Sequence, residues 1–115
     1  MPSVRILLVG AGGVGSAFCA IAARRDFFEQ IVVADYDLAK AQQAIVAVDP
    51  RFSATQIDAG SEAAVAELVR QHGITHVMNA VDPRFTMPIF NGALAGGADY
   101  MDLSLIHISE PTRPY

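Results

Sequence analysis

An α/β fold built on a doubly wound parallel sheet, with five strands in the spatial order 3-2-1-4-5, is predicted by three features of this 115-residue chain. Short β-branched apolar runs alternate with stretches of helical periodicity, a rhythm that calls for crossover connections and a parallel sheet. Such connections are right-handed, so the chain order reverses between the first and fourth strands. The first apolar run also feeds directly into Gly10-Ala11-Gly12-Gly13-Val14-Gly15, a turn that opens a helix.

Each element has its own signal. Val4 to Val9 forms the first strand, and Val14, Ala17, Phe18, Ile21 and Ala22 are expected on the inward face of the first helix, which ends near Arg24-Arg25-Asp26. Ile31 to Ala34 is a second buried-type strand that delivers Asp35 at its tip. Asp37 suits the cap of a second helix with Leu38, Ala41, Ile45 and Val48 inward. Asp49-Pro50 stops that helix, because proline disfavours the helical conformation of the residue before it. The third strand spans Phe52 to Ile57 and ends at Asp58. Ser61 begins a third helix with Ala64, Val65, Leu68 and Val69 in one stripe, closed by Gly73. His76 to Val81 is the fourth strand, followed by the loop Asp82-Pro83-Arg84-Phe85. Thr86 starts a fourth helix that tolerates Pro88 in its first turn and ends at Gly96-Gly97. Ala98 to Asp102 opens a fifth strand.

The glycine turn carries the chemistry. Gly10 lets the chain leave the strand sharply, Gly12 keeps side-chain bulk away from an approaching diphosphate, and Gly15 lets helix and strand pack closely. Free N–H groups at the mouth of the first helix, with its positive dipole end, then face phosphate oxygens. Asp35, twenty residues beyond the turn, stands where a carboxylate accepts from ribose hydroxyls. A lone G-x-G-x-x-G is a weak signal. Here a strand precedes it, a helix follows, and an acid ends the next strand, so the arrangement reads as a Rossmann-type dinucleotide site. The switch point sets Gly10 to Gly15 and Asn79 to Asp82 on facing walls of one crevice.

Composition narrows the partners. Apolar residues make up 52% of the chain and charged ones 17%, enough for a core and too apolar for disorder. A net charge of −4 provides no basic surface for nucleic acid or anionic membranes. The chain enters a strand directly from Met-Pro-Ser-Val-Arg, with no signal peptide and no apolar run near the about 18 residues of a membrane span, so a cytoplasmic location is expected. Cys19 is expected as a packed thiol in a reducing compartment. His72 and His76 have no recognised metal spacing, and no metal site is expected. Phe27-Phe28 reads as a seal at the helix-strand junction. Asp82 and Arg84 fit either ligand contact or a local turn pair beside Pro83.

Several segments together resemble one family. Gly-Ala-Gly-Gly-Val-Gly at residues 10–15, Ile-Val-Val-Ala-Asp at 31–35, Ile-Asp-Ala at 57–59, Asn79-Ala80-Val81-Asp82-Pro83 and Ala95-Gly96-Gly97-Ala98-Asp99-Tyr100-Met101-Asp102 look like the NAD(P)-binding domain of the saccharopine dehydrogenase and reductase group. The resemblance spans residues 1–102. It implies hydride transfer between nicotinamide and the carbon of a C–N bond in an amino-acid-derived substrate, gripped largely by a second domain that this chain lacks. It assigns cofactor contacts to Gly10, Gly12, Gly13, Val14 and Gly15, to Asp35 and Tyr36 at the ribose, to Asp58 and Ala59 by the adenine, and to Asn79, Ala80 and Val81 on the nicotinamide side. No catalytic residue is assigned. Relatives that use the phosphorylated cofactor tend to carry a small polar residue and an arginine after the second strand. Asp35-Tyr36 stands there instead, which favours NAD over NADP, with Lys40 as a nearby cation. A reading of a different class is a non-catalytic NAD(H)-sensing regulatory domain like those of potassium-transport systems; the Asn-Ala-Val-Asp-Pro and Tyr-Met-Asp segments fit the reductases better.

From Leu103 to Tyr115 the α/β rhythm stops. Leu-Ser-Leu-Ile-His-Ile-Ser-Glu-Pro-Thr-Arg-Pro-Tyr closely resembles the translation of a transposon-end sequencing adapter, so residues 103–115 are expected to be a non-native tail and His107 no ligand. Residues 1–102 are then expected to be the amino-terminal portion of a longer enzyme, its sheet truncated in or just after the fifth strand.

Overall fold

In the computed structural model, residues 4–45, 49–81 and 85–103 are described. Five strands, β1 (Arg5–Val9), β2 (Gln30–Asp35), β3 (Phe52–Gln56), β4 (His76–Asn79) and β5 (Asp99–Asp102), alternate with α1 (Gly13–Ala22), α2 (Leu38–Ala44), α3 (Glu62–His72) and α4 (Thr86–Gly96). All four strand pairs are parallel, in the order β3-β2-β1-β4-β5. This is the predicted Rossmann-type α/β sheet.

Burial on both faces explains the nearly unbroken apolar runs of the central strands. Leu7, Val9, Val32 and Ala34 face one layer, where they meet Val65, Val69, Ile89 and Ala93 of α3 and α4. Ile6, Leu8, Ile31 and Val33 face the other, against Cys19, Ala22 and Ala41 of α1 and α2. Each fully buried Val, Leu or Ile contributes about 1.5–3 kcal/mol, so β1 and β2 are the anchor of the domain.

The caps of α3 match expectation. The Ser61 hydroxyl accepts from Ala64 N, and Gly73 adopts the left-handed conformation at φ 62°. Asp37 caps α2 by accepting from Ala39 N. Helix α4 closes at Gly97, also left-handed.

Three expectations need correction. The inward stripe of α1 is Gly15, Cys19 and Ala22, whereas Val14 and Ile21 are 42% and 57% exposed and Ala17 is exposed as well. Gly15 fixes this phase by packing against β1, and the larger apolar residues then turn outward. Helix α2 ends at Ala44 and leaves Leu38 exposed; Val48 lies outside the described residues. Strand β4 ends at Asn79, two residues before Val81, because the Asn79 side chain bends the backbone by accepting from Val81 N. Residues 82–84, including Asp82 and Arg84, and the tail from residue 104 also lie outside the described residues.

Helices α3 and α4 meet through glycine. A Cβ at Gly92 would lie 2.5 Å from Val65 Cβ and 2.8 Å from the Glu62 carbonyl oxygen, and one at Gly96 would lie 2.7 Å from Val69 Cβ. Alanine is the better helix former by about 1 kcal/mol. Overpacking against a backbone costs about 1–3 kcal/mol, and an atom 2.5 Å from another side chain's root puts the cost at the upper end. Gly92→Ala is therefore expected to lower the thermal midpoint by roughly 5–15 °C. A raised midpoint in a thermal melt would mean that propensity outweighs contact.

Candidate dinucleotide site

Two kinds of glycine make the turn between β1 and α1. Gly10 has φ +108°, and a Cβ there would meet Val81 Cγ1 at 2.6 Å and the Ala80 carbonyl carbon at 2.9 Å; at Gly15 it would lie 2.0 Å from the Gly10 carbonyl oxygen. Those two serve the protein's own packing. Cβ atoms at Gly12 and Gly13 would meet nothing within 4 Å. Gly12 is the N-cap of α1, with no side-chain hydrogen bond closing the helix and no acidic residue in its first turn. Open space in front of uncapped amides and a positive dipole end suits an anion.

Asp35 closes the turn from the side. As the last residue of β2, it lies one step beyond the Val9–Ala34 register pair. Its Oδ2 accepts from Ala11 N at 2.8 Å and its Oδ1 from Asp37 N at 2.9 Å. A carboxylate has about four lone-pair sites, so these bonds fix the group and leave acceptor capacity facing the crevice. Asp37 is occupied as a helix cap, so the two acids form no catalytic dyad.

Beside Asp35 opens a pocket of about 330 Å³ lined by Val9, Asp35, Tyr36, Ile57, Asp58, Ala59, Val81 and Phe85. The lining is thus largely apolar, with two acids among it. Tyr36, Ile57 and Asp58 also border a neighbouring hollow of about 400 Å³ that reaches Gln56 and Glu67. Gln56 Nε2 donates to the Tyr36 carbonyl, and Asp58 Oδ1 accepts from Gly60 N. Asp58 and Ala59, which the resemblance sets by the adenine, line the same pocket as Asp35, together with Ile57 and Phe85, to which no role was assigned and whose place depends on how loops from β3 and β4 converge.

The three residues at the end of β4 divide. Val81 lines the same pocket as Asp35 and Asp58. Ala80 is half-buried, its N–H donating to Val9 O. Asn79 is wholly buried and presents no surface. Its Nδ2 donates to Tyr100 Oη at 3.0 Å and approaches Asp102 Oδ2 at 3.5 Å, while its Oδ1 takes the Val81 amide. Asp102, 8% exposed, also accepts on Oδ2 from Tyr100 Oη at 3.0 Å and Thr86 Oγ1 at 3.2 Å. Burial pushes the Tyr100 phenol above its ordinary pKa. This buried polar cluster escaped the sequence reading.

Other candidates take structural roles. Burial raises the Cys19 thiol to a pKa of about 11, so it is inert as a nucleophile at neutral pH. His76 Nδ1 lies 2.7 Å from Thr75 Oγ1, and His72 supplies a carbonyl to Arg5. Among the described residues no group of three or more His, Cys, Asp and Glu could hold a metal ion. Phe28 seals the junction edge-on to Phe52, beneath the Arg51 guanidinium, while Phe27 is half exposed. Asp49 is held below the usual carboxylate range by its hydrogen bonds with Arg51. Among the described residues no helix is long and apolar enough to cross a membrane.

A parallel 3-2-1-4-5 sheet with a glycine turn, an open helix mouth and an acid at the tip of β2 defines a dinucleotide-binding α/β domain. Comparison with known proteins narrows the class. The chain belongs to the saccharopine dehydrogenase NADP binding domain family, which matches residues 6–114, and is thereby a nicotinamide-dinucleotide-binding domain of a saccharopine dehydrogenase-like oxidoreductase family. Carboxyaminopropylagmatine dehydrogenase of a Synechocystis species is 27% identical over 99 residues, which cover 85% of this chain and 25% of that protein. Apo saccharopine dehydrogenase (L-Glu forming) of Saccharomyces cerevisiae superposes with a TM-score of 0.73 at 20% identity, over 95% of this chain and 24% of that one. The UDP-glucose-4-epimerase of Stenotrophomonas maltophila with bound NAD shares the fold, with a TM-score of 0.71 at 15% identity over 86% of this chain and 36% of its own. The chain thus spans about a quarter of the two dehydrogenases.

Proposed function

We propose that residues 1–102 form the NAD(H)-holding domain of a cytoplasmic oxidoreductase that acts on the C–N bond of an amino-acid-derived substrate, with the substrate gripped by a second domain. The observation that carries the cofactor reading is the Asp35 carboxylate, bonded to Ala11 N of the glycine turn and edging the pocket lined by Tyr36, Asp58, Ala59 and Val81. Gly12, Gly13, Val14 and Gly15 offer amides to the diphosphate, and Gly10 sets the turn. Asp35 accepts from the adenosine ribose hydroxyls and disfavours a 2′-phosphate there. The flanks of the pocket hold the adenine between Ile57 and Val81, with Tyr36, Asp58 and Ala59 at its rim. Asn79 and Ala80 act from beneath, by shaping the end of β4. The nicotinamide, when bound, supplies hydride transfer; the chain's own residues orient the cofactor. Support for C–N chemistry comes from the family and from the yeast relative, whose name describes a dehydrogenase that forms L-glutamate.

The test is a titration of the 115-residue chain with NADH, followed by nicotinamide fluorescence and calorimetry. Saturable binding with a Kd on the order of 100 μM, without oxidation of any amino acid, is the expected result. No binding of NADH or AMP overturns the cofactor reading, and turnover by the chain alone overturns the need for a second domain.

A further inference from the structure

The buried cluster at the ends of β4 and β5 is larger than the ends of two strands require. Three donors, from Asn79, Tyr100 and Thr86, converge on a single oxygen, Asp102 Oδ2, at 3.5, 3.0 and 3.2 Å. The register pairs Asn79 directly with Asp102, so the cluster is set by the sheet itself. Two of its members connect to the pocket wall. Asn79 Oδ1 accepts from the Val81 amide, and Thr86 follows Phe85 in the chain. Val81 Cγ1 packs over Gly10, 2.6 Å from where a Cβ would stand, and the Phe85 ring reaches to 3.8 Å from the Cβ position of Gly60, just past Asp58 and Ala59. Both line the pocket that Asp35 also borders.

We propose that Asp102 is a positioning residue for the cofactor: through Asn79, Tyr100 and Thr86 its carboxylate holds Val81 and Phe85 at the width that grips the adenine moiety. The inference rests on the dinucleotide reading above and assigns the cluster a binding role in addition to a structural one. A single acceptor shared by both flanks couples their positions, since movement of either one lengthens a bond to the same atom. An apolar wall of fixed width keeps the ordering cost of binding low.

The experiment measures affinity for NADH, AMP and nicotinamide mononucleotide in the full chain and in Thr86→Val, Thr86→Ser and Asp102→Asn, together with thermal midpoints. Thr86→Val keeps the side-chain shape and removes one donor, and is expected to weaken NADH and AMP by roughly three- to tenfold while leaving nicotinamide mononucleotide unchanged. Thr86→Ser, which retains the hydroxyl, is expected to restore both. Asp102→Asn keeps one acceptor oxygen but removes the negative charge that the three donors share, and is expected to weaken AMP at least as much; should it fail to fold, Thr86→Val still decides. A purely structural cluster would lower the midpoint with AMP affinity intact, and that result overturns the proposal. Failure of the unsubstituted chain to bind AMP or NADH overturns the dinucleotide reading itself, a different outcome from binding that the variants leave unchanged.

Discussion

Replacing Gly15 by alanine is expected to abolish NADH binding and to destabilise the domain by about 3 kcal/mol or more. The added Cβ would sit 2.0 Å from the Gly10 carbonyl oxygen and 3.1 Å from its carbon, both backbone atoms. Gly10 has little room to yield. Its N–H donates to Ala34 O at 2.8 Å, its φ is +108°, and Val81 lies against its other side. Helix α1 must therefore lift from β1, and its first-turn amides move with it. At about 4–8 °C per kcal/mol for a domain of this size, the thermal midpoint falls by roughly 12 °C or more. Gly12→Ala is the matched control. At φ −77° its backbone suits any residue, and its Cβ meets nothing within 4 Å, so the fold survives while the methyl occupies the space left for the diphosphate. The expected pattern is loss of binding in both variants and a large drop in the midpoint in Gly15→Ala alone, read by thermal melts and NADH titration. A folded Gly15→Ala chain that binds normally would contradict the packing argument.

The contrast between those glycines marks where the sequence was legible. Strand order followed from the alternation of elements and the handedness of crossovers, and the ends of α3 from Ser61 and Gly73, because each is a local rule satisfied within a few residues. The phase of α1 was not legible in the same way. Apolar periodicity selected Val14 and Ile21, yet the side chain that is missing at Gly15 decides which face lies on the sheet, a steric fact invisible to a hydrophobic pattern. Asn79 illustrates a second limit. Its motif context suggested a ligand contact, whereas the β4–β5 register sets it against Asp102 and buries it. That pairing joins residues 23 positions apart, and it emerges only when the strands are aligned. The position of Asp35 was legible, because an acid at a strand tip is something sequence spacing reports directly.

Asp35→Ala is expected to weaken NADH by about ten- to a hundredfold while changing NADPH affinity far less, shifting the proposed preference toward NADPH. A hydrogen bond to an ionised acceptor is worth about 1.5–3 kcal/mol, and every 1.4 kcal/mol is a factor of about ten. The substitution also releases Ala11 N and Asp37 N, which the carboxylate holds at 2.8 and 2.9 Å, so the turn itself loosens. That loosening acts on both cofactors equally, because they share the diphosphate. The ratio of the two affinities, and not either one alone, therefore isolates the ribose. For NADPH two effects oppose each other: the loosened turn weakens it, and removing a negative charge beside the 2′-phosphate strengthens it. Asp58, which borders both hollows, and Glu67, which lines the neighbouring one, keep negative charge nearby and limit the gain. Parallel titrations with both reduced cofactors check this. If the NADH to NADPH ratio stays the same in the variant, Asp35 acts as a brace for the turn and the proposed preference for NAD loses its basis.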